Sequence, residues 1–471
     1  MKQTDFSLRA FTFGIGLLTC VSTSACDSEE SGEVGGVDSL ADDQPRQGST
    51  QPGAGASQAS LVASASAPPS PALVFVPSCG DQTFEGDYFI EDEQDLLDLE
   101  NYLKVDGDIV IEGTAIIDLV GSDCLEQLSG SLRFVENGAL TSISGFDGLT
   151  KIGGGISFVE NGGDITVDGF ESLAKVGAKL SIVVESTITI EGLDNLESLG
   201  GIEALESGQL YFPGLDGLEV MGSASFELVE GVHFDGLDSL ELVEGGLSFL
   251  EVETISADGL GALESISGGL SFDEVSFAPG ALDFPSLESI GGDIRIEHIA
   301  SGAPPTSVFQ ALESLGGDIL LSEIEISELS GFDELETVGG SIQSEGVSIE
   351  SLSGFGELES VGGSVQLFGF PQLIEFSAFA ALESVGGDLQ LISLGEITDL
   401  DGLYALESVG GDLDLVENIS LEQIHINTAL SVTGDLSISY NPALSSCAVQ
   451  DFVDQLSSVG GTITLSDNGP C

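Results

Sequence analysis

The chain is predicted to be all-β, a parallel β-solenoid of about 16 coils of ~23 residues capped by short helices. Two observations predict it. A phrase of the form Phe/Leu-x-x-Leu-Glu-Ser-aliphatic-Gly-Gly-x-aliphatic-x-aliphatic recurs, with clear copies from Leu287, Leu312, Leu358, Leu382 and Leu406. One glycine per copy, from Gly107 to Gly460, marks 16 copies spaced 22 to 26 residues apart. A fixed period of this length means a stack in which no coil buries its own apolar face without its neighbours. No linker interrupts the period, which excludes a row of separate small domains.

Residues 1–25 precede that fold. Lys2 and Arg9 open the chain, Ala10 to Leu18 is an apolar run, and Thr23-Ser24-Ala25 supplies small residues at a cleavage point. The run is well short of the ~20 residues of a spanning helix, so this segment is expected to be an export signal. Cys26 then follows Thr23-Ser24-Ala25, a context that resembles a bacterial lipobox better than that of Cys20. Cleavage there leaves five cysteines, Cys26, Cys79, Cys124, Cys447 and Cys471. An odd cysteine in an exported protein needs an explanation, and lipidation of Cys26 supplies one. The alternative is a soluble secreted protein with one spare thiol.

Residues 26–78 are rich in Ser, Ala, Gly, Pro, Asp and Glu and hold almost nothing to bury. They are expected to form a disordered tether with a mean reach of roughly 40 Å. The segment from 79 to 471 is expected to be the solenoid, with an N-terminal cap over 79–124 and a C-terminal cap over 442–471. Asp95 to Leu103 reads as a short amphipathic helix with Leu96, Leu99 and Leu103 on one face. Cys447 to Leu456 places Val449, Phe452, Val453 and Leu456 at helical spacing.

Within a coil, the first Leu and the aliphatic before Gly-Gly point inward, and the aliphatics after it alternate with period two, the signature of a strand with one buried face. Gly-Gly is expected to make a tight bend. Stacking at about 4.8 Å per coil gives a solenoid of roughly 75 Å. Its ends then lie tens of ångströms apart, whereas a disulfide needs Cα atoms within about 7 Å. Only the pairs Cys79–Cys124 and Cys447–Cys471 remain.

The segment Leu99-Glu-Asn-Tyr-Leu-Lys-Val-Asp-Gly-Asp-Ile-Val-Ile111, after Cys79-Gly80, resembles the opening of the receptor L domain of insulin-receptor and epidermal-growth-factor-receptor ectodomains. Units such as Gly410 to Asn418 and Gly434 to Asn441 are similar to bacterial surface proteins with receptor-L-like repeats. The resemblance covers about residues 79 to 471 and implies a right-handed β-helix related to leucine-rich repeats. It departs at Tyr102, where the family has a cysteine, so Cys79 must find another partner, and Cys124 is nearest. The Asn137, Asn161, Asn418, Asn441 and Asn468 amides are expected to bond turn backbone, a structural role.

The formal net charge is −71. Without residues 1–25, which remove Asp5, Lys2 and Arg9, 79 acidic residues face 7 basic ones (80 − 1 and 9 − 2). Nucleic acid is excluded as a partner, because its backbone needs Lys and Arg to neutralise it. Glu follows the first Leu in ten successive units: Glu197, Glu219, Glu241, Glu264, Glu288, Glu313, Glu336, Glu359, Glu383 and Glu407. Stacked in register they form a ladder of like charges, with neighbours repelling by about 1 kcal/mol at most in water. The ladder is either a solvated face or a surface for a basic partner or weak divalent-cation association. No calcium-loop motif occurs to make a tight site.

Chemistry is thinly marked. His233, His298 and His425 are the only histidines and lie many coils apart, so no zinc cluster or Ser-His-Asp set is read. Carboxylate pairs arise by chance among so many acids. Arg295, the sole basic residue after Lys179, is expected to pair with neighbouring acids. No cofactor motif is found and no catalytic residue is assigned. The expectation is a non-enzymatic, exported, lipid-anchored protein of the bacterial cell envelope, at the outer membrane or cell surface. It would present an extended acidic surface for adhesion or recognition of a protein or glycan. A purely structural envelope component comes second and a carbohydrate-active enzyme third. The irregular units at Phe277 to Phe284 and Ala300 to Val308, with Pro279, Pro285, Pro304 and Pro305, are the first places to seek a ligand site.

Overall fold

Most coils lay down a two-residue strand, bend at Gly-Gly, and lay down a second strand of about four residues, whereas Lys175–Val183, Ser198–Tyr211 and Val220–His233 run through that place as single strands. Ser289–Ile290 and Ile294–Glu297 are one such pair. They run parallel to Ser314–Leu315 and Ile319–Ser322 of the next coil, in matched register. Repetition of this pairing builds one 36-stranded sheet, while Glu328–Leu329, Ser351–Leu352 and Glu375–Phe376 form a separate three-stranded sheet. The computed structural model describes residues 79–277, 284–299, 308–326, 328–427 and 429–471. The export signal, Cys26 and the tether lie outside the described residues, as do Pro279, Pro304 and Pro305.

Period-two alternation sets the core. In Ile294-Arg295-Ile296 the two isoleucines are buried and the arginine is exposed. Because register is kept from coil to coil, identical residues stack. Phe226, Phe249 and Phe272 pair in register, with ring centroids 5.3 Å apart at each step. Phe309, Phe332 and Phe355 form a second file. A one-residue slip would turn every one of the strand phenylalanines to solvent, so the pattern locks the register.

The Gly-Gly pair makes the expected bend, for a reason other than conformational freedom. The chain does bend there, but Gly316, Gly339 and Gly362 do not take left-handed backbone. A Cβ on these glycines would instead lie 2.3, 2.4 and 2.4 Å from the carbonyl oxygen of the equivalent glycine one coil earlier. Close approach of coils, not a special φ, demands glycine. The Asp or Ser that follows bonds one coil to the next. Asp293 accepts the main-chain N–H of Asp318 at 2.9 Å, and Asp388 accepts that of Asp412 at 2.8 Å.

Left-handed backbone appears instead at the corner after the second strand, or at the matching place within the longer strands at Glu206 and Glu251. Glu136, Glu160, Glu206, Glu251, Glu274, Glu323 and Glu417 all have φ between 48° and 60°, in register with Gly346 and Gly369 at 66° and 70°. Non-glycine residues are uncommon there. Ladder bonds hold them: Glu136 N–H donates to Val159 at 3.0 Å and Glu323 N–H to Glu345 at 2.9 Å.

Both ends depart in detail from expectation. Helix α1 spans Glu93–Leu99, opened by a capping box between Asp92 and Asp95, and it buries Leu96 and Leu99. It stops short of Leu103, because Tyr102–Asp106 is a strand paired with Gln82–Glu85. Tyr88–Ile90 pairs with Ile109–Ile111, so the cap contains a rung ahead of the first marked glycine. Helix α2, Ser446–Val453, buries Val449 and Phe452. Cys79–Cys124 and Cys447–Cys471 are disulfides, with Cα atoms 5.2 and 5.0 Å apart.

Candidate recognition surface

The ten glutamates form a continuous ladder. Each main-chain N–H from Glu219 to Glu407 donates to the carbonyl oxygen of the glutamate one coil earlier, at 2.9 to 3.4 Å. All ten are exposed. The backbone chain of bonds fixes their order, and in the two residues that follow each, as in Ser360-Val361, the second turns inward while the glutamate stays in solvent.

A second acidic file lies across the sheet, interrupted by Leu228, His298, Gly346, Gly369 and Ser393. The left-handed corner glutamates, Glu136, Glu160, Glu206, Glu251, Glu274, Glu323 and Glu417, are exposed as well. Sequence reasoning misses this file because left-handed corners are sought at Gly or Asn, and glutamate carries no such signal. The signal available was position, since each precedes a buried Asn, Ser, Val or Ile at the end of a strand.

Between the two acidic files runs a face of mixed polarity, charged at Arg133, Glu203, Arg295 and Asp414 and uncharged over runs of coils between them. The outward residue of the second strand is Ser225, Ser248 and Ser271 in successive coils, and later Gln343, Gln366 and Gln390. Gln366 Nε2 donates to Gln390 Oε1 at 2.7 Å, and Gln390 Nε2 to Asp414 Oδ2 at 2.8 Å. Nearer the glutamate ladder, Thr337, Ser360, Ser384 and Ser408 line an open groove of about 500 Å³. The face can therefore offer files of hydroxyl and amide groups between acidic margins.

One part of the surface is apolar. Pro371, Ile419, Tyr440 and Pro442 line a cleft of about 640 Å³ rimmed by Glu396, Glu417 and Asp467. Ile419 is 61% exposed and Tyr440 54%. Tyr440 occupies the left-handed corner, at φ 60°, which aims a large side chain outward.

Titration marks places where acids crowd. Burial, then the charges of Asp194 and Asp238, pushes the Asp216 carboxyl above the usual range. Burial also raises Asp414, against the hydrogen bond from Gln390 that lowers it, with Asp412, Asp388 and Asp435 adding to the rise. The main-chain N–H of Asp318 holds Asp293 below the ordinary range, opposed by burial and helped by Arg295 at 2.7 Å.

The three histidines are far from one another, as their positions imply, but each meets the coil before it. His233 stacks on Tyr211 with centroids 4.3 Å apart and Nε2 is 3.2 Å from Gln209 Oε1. His298 Nδ1 lies 2.7 Å from Asp273, and that bond raises its pKa above the usual imidazole value. His425 Nδ1 contacts Asp401. With Asp399 these two place donor atoms all within 4.8 Å of one another. The signal for that set was a spacing of one coil, 24 residues, between Asp401 and His425.

No family model matches the chain, and no curated protein matches it. Among solved structures, "Crystal structure of TLR13-ssRNA13 complex" is similar over 80% of this chain and 76% of that one. The identity is 12% and the TM-score 0.23, a likeness too slight to carry an argument.

Proposed function

We propose that the protein is exported to the bacterial cell envelope, anchored by lipid on Cys26, and uses its solenoid to recognise a protein or glycan. The observation that carries this reading is the cleft formed by Tyr440, Ile419, Pro371 and Pro442 within an acidic rim. Exposed aromatic and aliphatic groups gathered in a concavity are the usual anchors of recognition, and a charged rim adds specificity and steering. The margins of glutamate favour a partner that carries positive charge beside an apolar or sugar face. The long tether of residues 26–78 would hold that surface away from the membrane.

The test is a capture experiment with the exported chain against envelope extract and a glycan array. The reading expects saturable binding that weakens with salt and drops at least tenfold in Tyr440→Ser or Ile419→Asp. Binding indifferent to both substitutions would reject the cleft, and the absence of any saturable partner would favour a purely structural component. Mass spectrometry of the N-terminal peptide checks the anchor: an unmodified Cys26 thiol, or a mature start elsewhere, removes it.

A further inference from the structure

We propose that Asp399, Asp401 and His425 form a binding site for a divalent transition-metal cation such as zinc. One imidazole nitrogen and two carboxylate oxygens lie within 4.8 Å of one another. Donors bound to a single zinc at 2.0–2.2 Å stand about 3–4 Å apart, so small side-chain rotations complete the set. Three protein ligands with water in the fourth position is a common zinc arrangement.

The local structure departs from the repeat here. Asp401–Leu403 forms a short 3₁₀ turn, the only one among the described residues, and it sets Asp401 beside Asp399 on one segment. Asp399 is oriented from both sides: Thr398 Oγ1 donates to Oδ2 at 3.2 Å and the Asp401 N–H to Oδ1 at 3.2 Å. His425 arrives one coil later, in a stretch with no strand.

The donor set selects the cation. Calcium takes six to eight oxygens and magnesium keeps several waters, and neither calls for an imidazole ligand. An imidazole ligand favours zinc, cobalt, nickel or copper. His298 supplies an internal contrast. It also faces two carboxylates, Asp273 at 2.7 Å and Glu323 at 3.9 Å, but these come from the coils on either side of it. They face its two different ring nitrogens, Nδ1 bonded to Asp273 and Nε2 only within ion-pair distance of Glu323, and these point apart. That arrangement makes a charge ladder rather than a chelate.

The experiment follows the histidine resonances of the full chain by NMR as ZnCl₂ is added in 150 mM NaCl with 10 mM MgCl₂. The proposal expects the His425 signals to shift saturably at one equivalent while His298 stays nearly still. His425→Ala and Asp399→Asn should each weaken zinc binding at least tenfold, measured by calorimetry, and His298→Ala should leave it unchanged. Absence of a saturable His425 shift, displacement of zinc by magnesium, or equal loss in His298→Ala would overturn the site.

Discussion

The main-chain N–H of Glu313 donates to the carbonyl oxygen of Glu288 at 2.9 Å, while both side chains stand in solvent. The same relationship repeats from Glu197 to Glu407. Folding therefore gathers ten like charges into one file, and the unfolded chain keeps them further apart. Self-repulsion opposes the native state and salt screens it.

Melting temperature is accordingly expected to rise between low salt and physiological ionic strength. Glu288→Gln, Glu336→Gln and Glu383→Gln together should flatten that dependence. Acid acts in the same direction at two carboxyls and in the opposite one at Asp293, whose lowered pKa means its contribution is lost as pH falls. Asp216 and Asp414 have raised pKa values in the fold, so the folded state binds protons more readily than the unfolded one. Their contribution makes stability rise as pH falls through those raised values. A melting temperature indifferent to salt would contradict the stacked file.

Two glycines separate close approach from conformational freedom. Gly339→Ala would drive a Cβ to 2.4 Å from the Gly316 carbonyl oxygen, which the backbone cannot relieve cheaply. A loss of about 1–3 kcal/mol is expected from such overpacking. Gly356 has nothing within 4 Å of a Cβ and no left-handed backbone, so Gly356→Ala should be neutral or stabilise by about 0.4–1 kcal/mol. Urea denaturation of both variants distinguishes the cases.

Asn137 ties three coils together. Its Nδ2 donates to Ile111 at 2.9 Å, its Oδ1 accepts the Thr114 N–H at 3.0 Å, and its own N–H donates to Asn161 Oδ1 at 3.0 Å. Asn137→Ala strips partners from buried backbone groups, and a cost of about 1–3 kcal/mol is expected in urea. Asn137→Asp should not rescue it, because a carboxylate cannot donate to Ile111.

The N-terminal cap should respond to alkali. Tyr88 donates its hydroxyl to the Asp95 carbonyl at 2.7 Å, and burial followed by the charges of Asp95 and Asp98 pushes its pKa up to about 12. The unfolded tyrosine ionises near 10, so this contribution is intact below that pH and lost as pH rises toward 12. Urea denaturation should show stability falling over that window, and Tyr88→Phe should remove the step.

Much of the fold is legible in the sequence because the repeat speaks through spacing. The period, the inward leucines, the glutamate file and the pair Cys447–Cys471 follow from residues one coil apart becoming neighbours, and Cys79–Cys124, 45 residues apart, follows from the distance between the two ends. Features that depend on backbone shape are harder to read. Gly-Gly suits both a bend and a close approach, and only coordinates separate the two at Gly339. Glu323 and Glu417 sit in left-handed corners that composition assigns to other residues. The rung at Tyr88–Ile90 has Gly86-Asp87, as the next has Gly107-Asp108, but no Leu-Glu precedes it to mark the coil. His425 carries no signal beside the other histidines and gains one only beside Asp401, one period before it.

Stacking at one coil per period is tested most directly by a distance along the glutamate file. Glu219 and Glu383 are seven rungs apart in the ladder, which at about 4.8 Å per rung is roughly 34 Å. Spin labels on Glu219→Cys and Glu383→Cys, with Cys20→Ser and Cys26→Ser to remove stray thiols, report this separation by pulsed electron resonance. A single narrow distribution centred near 34 Å, after allowance for the label arms, is the expected result. A broad distribution, or a centre displaced by more than about two rungs, would contradict the in-register solenoid.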